Sequence, residues 1–212
     1  MTFNNTKFII LGSSFFFSIL LIVFLISKQG SGTNNLSTCN LNSNASTFAD
    51  FRGNFSLIDE HGQEISNDSI FDKPTLLYFG YTFCPDICPF DLMRNAEAVE
   101  LLQIENYEVK PVFISLDPKR DTPSVLRDFT AFHHPNMLGL TGSEDQLEVV
   151  KNVYKIYSEI PRNSGNDYIL NHSTFSYFVL PKDGVQTYFT RKENPQDLAA
   201  TMKCILDIQL NN

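Results

Sequence analysis

Lysine and arginine are scarce and scattered in this chain, 16 of them against 24 aspartates and glutamates in 212 residues. Phosphate backbones are held by clustered cations, and no such cluster exists, so nucleic acid is excluded as the main partner. The formal net charge of −8 and the sequence pI near 4.9 otherwise serve solubility. No internal repeat divides the sequence. Charge is missing altogether from Phe8 to Ile26, where three serines are the only polar side chains. These nineteen residues, at about 1.5 Å each, span roughly 28 Å, close to the hydrocarbon thickness of a bilayer. A cleaved signal normally has a shorter apolar stretch and a small-residue cleavage site, and the following SKQGSGT offers no A-x-A pattern. Residues 1–28 are therefore expected to be a retained N-terminal transmembrane anchor. Lys7 before it and Lys28 after it leave its orientation unwritten by charge. Residues 29–47 are dominated by Gly, Ser, Asn and Thr and read as a flexible tether. Residues 48–212 are expected to fold as one domain.

Hydrophobic side chains make up 42 % of the whole chain, enough for one sizeable core. FSLIDEHGQEI reads as a hairpin turning at Glu60-His61-Gly62. TLLYFGY after Pro74, and KPVFISLD, are short runs of β formers of the kind buried on both sheet faces. Between them DLMRNAEAVELLQ places Leu92, Val99 and Leu102 near one helical face. DTPSVLRDFTAF opens with Asp121 or Thr122 as a cap and Pro123 in the first turn. MLGLTG is a short strand and turn. SEDQLEVVKNVYKIY starts on Ser143, with Gln146 at capping-box spacing. STFSYFVLP and GVQTYFT form a hairpin about Lys182-Asp183-Gly184, and NPQDLAATMKCILDIQL is a closing helix. Strands alternating with helices, then a hairpin and a last helix, predict an α/β layered domain with a mixed sheet.

Cysteine is as sparse as positive charge. Of the four, two lie in YFGYTFCPDICPFDL, just past the first buried strand, where open α/β sheets place their sites. A helix starting near Cys84 or Pro85 would put Cys84 at its N-terminus and Cys88 one turn on, with both sulfurs on one face. The positive end of the helix dipole favours thiolate. Such a pair suits a disulfide, and equally two sulfurs converging on one metal ion. A structural staple needs neither the two prolines nor the helix start. His172, just before STFSYFVLP, is the candidate third ligand. Two thiolates and one imidazole make a soft, low-coordinate site that suits Cu(I), and imidazole also suits Cu(II); zinc would want a fourth ligand or a water. His133 and His134 read as solvated loop residues, His61 as a turn residue. Cys39 lies about a dozen residues beyond the apolar segment, too far for a lipidation box. Cys204 on the closing helix reads most simply as a small core residue, while the even count also permits a Cys39–Cys204 disulfide in an oxidising compartment.

CPDICP after one strand, FISLDPKRDTP after the next and DYILNHS before a late strand, in that order, resemble the Sco/SenC family over roughly Phe48 to Leu210. The resemblance implies a thioredoxin-like fold, a membrane anchor, and one copper ion bound by Cys84, Cys88 and His172. It implies a metallochaperone that assists assembly of the binuclear copper centre of cytochrome c oxidase subunit II, a carrier rather than a turnover enzyme. The alternative is a thiol–disulfide oxidoreductase that reduces the cysteines of that centre, with Cys84 as the attacking thiolate. On either reading the domain lies in a bacterial periplasm or a mitochondrial intermembrane space, and its partner is subunit II or a similar copper-site protein. A peroxiredoxin-like peroxidase is a third reading, from the aromatic-Thr-x-Cys approach; the second thiol four residues on counts against it. Two positions depart from the family pattern. Asn171 stands where an acidic residue usually precedes the ligand histidine, and Phe83 where many relatives have histidine. Asp117 and Asp121, flanking PKR, are either site residues near the cysteine loop or strand-end and cap carboxylates. Asp86, between the cysteines, is not expected to ligate.

Overall fold

The computed structural model describes Cys39, Phe51, residues 53–162, Gly165 and residues 167–210. The expected anchor, and the expected tether apart from Cys39, lie outside the described residues. Among the described residues no helix is long and apolar enough to cross a membrane.

The first hairpin forms where its turn residues place it. Strands β1 (Ser56–Asp59) and β2 (Glu64–Ser66) pair antiparallel. The Asp59 carboxylate accepts the N–H groups of His61 and Gln63 at 2.9 and 2.8 Å, and Gly62 supplies the left-handed residue, φ 79°. A single helical turn, α1 (Asn67–Ile70), leads into β3 (Thr75–Gly80), which is buried at every residue. Then follow α2 (Ile87–Ile104), β4 (Lys110–Ser115), α3 (Pro123–His133), β5 (Leu138–Thr141) and α4 (Glu144–Tyr154). After two very short strands, β6 (Ser158–Glu159) and β7 (Asn171–His172), come the hairpin β8 (Ser176–Leu180) and β9 (Gly184–Phe189) and the closing helix α5 (Pro195–Leu210).

Seven strands form one sheet in the order β2-β1-β5-β4-β3-β8-β9. β3 runs parallel to β4 and antiparallel to β8, so the sheet is mixed, as the element order predicts. The core on β3 divides between two clusters: Leu77, Tyr78 and Phe79 belong to the one that holds Leu126 of α3 and Leu147, Val150 and Tyr154 of α4. Leu76 belongs to a second cluster with Ala98, Val99 and Leu102 of α2 and Leu198, Met202 and Ile205 of α5. The helix caps are those the sequence offers. Thr122 accepts the Val125 N–H at 3.4 Å, and Ser143 with Gln146 completes a reciprocal capping box.

The expectations for Cys204 and for the two adjacent histidines change. Cys204 is bonded to Cys39 in a disulfide, and Cys39 is buried in the second cluster. The segment read as tether is therefore fixed to α5 at this one residue, and Cys204 is more than a small core side chain. His134 is not solvated: it keeps 4 % of its surface. Its Nδ1 accepts the Asn136 N–H at 3.1 Å in a turn closed by Met137 N–H on the His134 carbonyl. That turn brings the chain back into β5, and burial pushes the imidazole pKa down. His133 is half-buried and packs edge-on against Phe129 and Phe132. Finally, β6 and β7 pair antiparallel, Ser158 with His172 and Glu159 with Asn171, a ladder too short to leave a period-2 pattern in the sequence.

Candidate metal centre

β3 and β4 run parallel with Gly80 opposite Ser115, so the loops that follow them emerge side by side at the same sheet end. One is the cysteine loop, Tyr81 to Asp86; the other begins Leu116-Asp117. Helix α2 starts at Ile87 with Asp86 at its cap, later than the sequence suggests. Cys84 therefore precedes the helix, because its N–H is taken by the Tyr81 carbonyl at 3.3 Å in a turn. Cys88 sits in the first helical turn, and its N–H, which has no partner inside the helix, donates to Cys84 Sγ at 3.4 Å. The helix end thus still acts on Cys84, through an N–H aimed at its sulfur.

His172 arrives from β7. Its Nδ1 lies 2.8 Å from the Ser173 carbonyl; a carbonyl only accepts, so Nδ1 carries the hydrogen. In the neutral ring Nε2 then offers a bare lone pair, and Nε2 is the atom that lies 3.4 Å from Cys88 Sγ. The donor atoms of Cys84, Cys88 and His172 all lie within 4.8 Å of one another, and among the described residues they form the one such group of three. Cys88 is fully buried and Cys84 keeps 9 % of its surface. Neither is in a disulfide. The proton of the thiol pair stays on Cys88. Hydrogen bonding from the Cys88 thiol, with the Cys88 N–H also aimed at the sulfur and against the effect of burial, pulls Cys84 down to about 3. The same contact and burial push Cys88 up.

The second motif supports both halves of this group. The Asp121 carboxylate accepts the Thr82 N–H at 2.9 Å, the Thr82 hydroxyl at 2.6 Å and the Ser115 hydroxyl at 2.5 Å, bracing the loop two residues before Cys84. Asp121 is fully buried, which raises its pKa despite these donors. The cap of α3 is left to Thr122. Asp117 faces the other half: it accepts Arg120 Nε and the Tyr168 hydroxyl, each at 2.5 Å, and Tyr168 is four residues before His172. So the carboxylate nearer the cysteine loop is Asp121, while Asp117 holds the histidine segment. Sequence reasoning missed Tyr78 and Asp91. The Tyr78 hydroxyl donates to Asp91 Oδ2 at 3.0 Å beside the Cys88 sulfur. Asp91 lies three residues after Cys88, on the same helix face, and that spacing was the available signal.

The SCO1/SenC family model matches residues 43–207. The chain belongs to the SCO1/SenC family. It is similar to Protein SenC of Rhodobacter capsulatus, 43 % identical over 163 residues, which cover 76 % of this chain and 73 % of that protein. Its fold is similar to the crystal structure of Arabidopsis thaliana ScoI with copper bound, with a TM-score of 0.69 and 33 % identity over 73 % of this chain and 98 % of that one. It is also similar to BsSco, a member of the Sco family of cytochrome c oxidase assembly proteins with an identified disulfide switch. There the TM-score is 0.59 and the identity 25 %, over 72 % of this chain and 91 % of that one. The mixed-sheet domain is the thioredoxin-like α/β fold of the Sco structures. Against the Sco/SenC pattern, Asn171 is exposed and stands in the β6–β7 ladder opposite Glu159. Phe83 is 57 % exposed, and the Arg120 guanidinium carbon lies 4.8 Å from its ring centre. A histidine there would set a second imidazole beside Cys84; phenylalanine replaces it with a surface for a cation.

Proposed function

We propose that this Sco/SenC protein carries one copper ion on Cys84, Cys88 and His172 and delivers it during assembly of the binuclear copper centre of cytochrome c oxidase subunit II. The observation that carries this reading is the convergence of two unpaired thiols and one imidazole whose Nε2 is free to donate. The set fits the ion: sulfur and imidazole suit copper, and a three-donor site suits Cu(I) better than zinc, which would want a fourth ligand. Binding requires both sulfurs as thiolates, so loading releases the proton held on Cys88. Ser173 fixes the ring of His172, and Asp121 and Asp117 hold the two segments at the spacing the donors need. The Cys39–Cys204 disulfide supports an oxidising compartment, hence a domain outside the cytoplasm, in a periplasm or intermembrane space, with residues 8–26 as the anchor. Full-length protein is then expected to resist carbonate extraction.

The contact between Cys88 N–H and Cys84 Sγ favours a second reading, thiol–disulfide exchange. Cys84 as thiolate would attack an acceptor disulfide, one acceptor thiol would leave, and Cys88 would resolve the mixed disulfide. The acceptor gains two electrons and the pair becomes a disulfide. His172 separates the two uses, because exchange needs no imidazole. The reduced protein is loaded with Cu(I) and mixed with a reduced apo acceptor, and the acceptor's copper absorption is followed after oxidation. His172→Ala is expected to abolish delivery while the thiol pair still cycles, and His134→Ala is expected to deliver normally. A wild type that moves no copper but reduces an oxidised acceptor, matched by His172→Ala, would replace the carrier with the reductase.

A further inference from the structure

Tyr81 occupies a place that neither copper ligation nor thiol chemistry requires. It is buried between the end of β3 and the cysteine loop. Its carbonyl accepts the Cys84 N–H at 3.3 Å. Its hydroxyl accepts the N–H of Leu170, two residues before His172, at 3.2 Å. Its ring packs edge-on to the His172 ring, with centroids 5.7 Å apart and planes at 86°. The other attachments of the histidine segment lead elsewhere. Tyr168 is held by Asp117 beyond β4, Ser173 by the carbonyl of Tyr157, and Asn171 and His172 by β6. Among the described hydrogen bonds, Leu170 N–H to Tyr81 Oη is the one that ties this segment's backbone to the cysteine loop. Leu170 is itself buried, so its N–H has no water to turn to if the hydroxyl is removed.

We propose that Tyr81 is a positioning residue that sets the distance between His172 and the two thiols, by holding the backbone of the histidine segment on its hydroxyl and the imidazole against its ring. The proposal rests on Cys84, Cys88 and His172 being the copper donors. The Tyr81 carbonyl meanwhile holds the Cys84 N–H in the turn that precedes α2. One residue therefore joins the cysteine loop to the histidine segment and its ring. Without the hydroxyl the ring still fills its space, but the histidine segment is freed to populate arrangements in which Nε2 is out of reach. The apparent affinity for a three-donor ion then falls by the fraction still competent.

Tyr81→Phe in the full-length protein in detergent tests this, with Cu(I) affinity read by competition with a chromogenic Cu(I) chelator. Affinity is expected to fall about tenfold, equivalent to ~1.4 kcal/mol. In a His172→Ala background the same substitution is expected to change affinity less than about twofold, since its effect passes through the histidine. Hydrogen exchange of the metal-free protein gives a second readout: the Leu170 amide should exchange at least about tenfold faster in Tyr81→Phe. Equal losses in both backgrounds, no loss in either, or unchanged Leu170 exchange would overturn the proposal. If wild-type protein binds no copper at all, the copper reading fails and Leu170 exchange alone decides whether Tyr81 holds the segment.

Discussion

Gly80 is the last residue of β3, and Gly80→Ala measures how tightly the strand sets the position of Cys88. A methyl group there would lie 2.9 Å from Cys88 Sγ, 3.0 Å from Phe113 Cε2 and 3.1 Å from Tyr78 Cε1. Non-bonded carbon contacts are comfortable at about 3.5–4.0 Å, so each is short by roughly half an ångström or more. All three neighbours are fully buried, and only the Cys88 sulfur is the free end of a side chain. Overpacking of this kind costs about 1–3 kcal/mol, and the smaller unfolded-state entropy of alanine returns about 0.4–1 kcal/mol of it. The net loss is therefore ~1–2 kcal/mol, which for a domain of this size lowers Tm by roughly 2–8 °C. The cheapest relief is rotation of the Cys88 side chain, because its backbone is fixed in α2. That rotation takes the sulfur away from His172 Nε2, now 3.4 Å distant. Cu(I) affinity should fall at least about tenfold. Thermal unfolding by circular dichroism and chelator competition read the two effects. Gly165→Ala is the control, since nothing lies within 4 Å of a methyl there. A Gly80→Ala protein that melts and binds copper like wild type would refute the reasoning. One that loses stability but keeps its affinity would show that the strand does not place the sulfur.

Cys84, pulled from 9.0 to about 3, is already thiolate well below neutrality. Its alkylation by iodoacetamide in the reduced protein should stay nearly constant between about pH 5 and 8, where an ordinary thiol gains about tenfold per unit. Cys88 should lag behind it throughout, and a Cys84 rate that climbs with pH as a free thiol does would contradict the depressed value. The Cys39–Cys204 bond closes a separation of 165 residues. Cys204→Ser should therefore cost about 5 kcal/mol and lower Tm by roughly 10–20 °C, with copper stoichiometry unchanged; an unchanged melting temperature would mean that the bond adds no stability.

The sheet and its helices were legible because each carries a local signal that agrees with its neighbours. Thr122-Pro123 and Ser143 with Gln146 mark helix starts by their own chemistry, and Asp59 and Gly62 mark the first turn. The three residues were legible as types, two thiols and a late histidine, but their meeting was readable only through the family resemblance: 84 residues separate Cys88 from His172, and no periodicity spans that gap. What escaped the sequence depends on tertiary packing. The start of α2 slips to Ile87 because the Tyr81 carbonyl captures the Cys84 N–H. His134 follows a helix and precedes a proline, which reads as exposed, yet the turn into β5 buries it. The roles of Asp117 and Asp121 divide between the two halves of the site, and only the placement of Thr82 and Tyr168 shows which carboxylate serves which.

On the proposed reading, carriage and exchange compete for the same atoms. A Cys84–Cys88 disulfide removes both sulfurs as donors and leaves His172 alone, and one imidazole does not make a copper site. Copper on the three donors in turn occupies the Cys84 sulfur, the only one of the pair that is already thiolate and open to an acceptor. The two states therefore exclude each other, and the redox state of the pair decides which can form. The surrounding structure need not change between them. Asp121 braces Thr82 and Asp117 braces Tyr168 from the loop after β4, through hydrogen bonds that involve neither sulfur. The scaffold can thus keep His172 and the cysteine loop in register while the pair is oxidised, so that reduction alone restores a three-donor site.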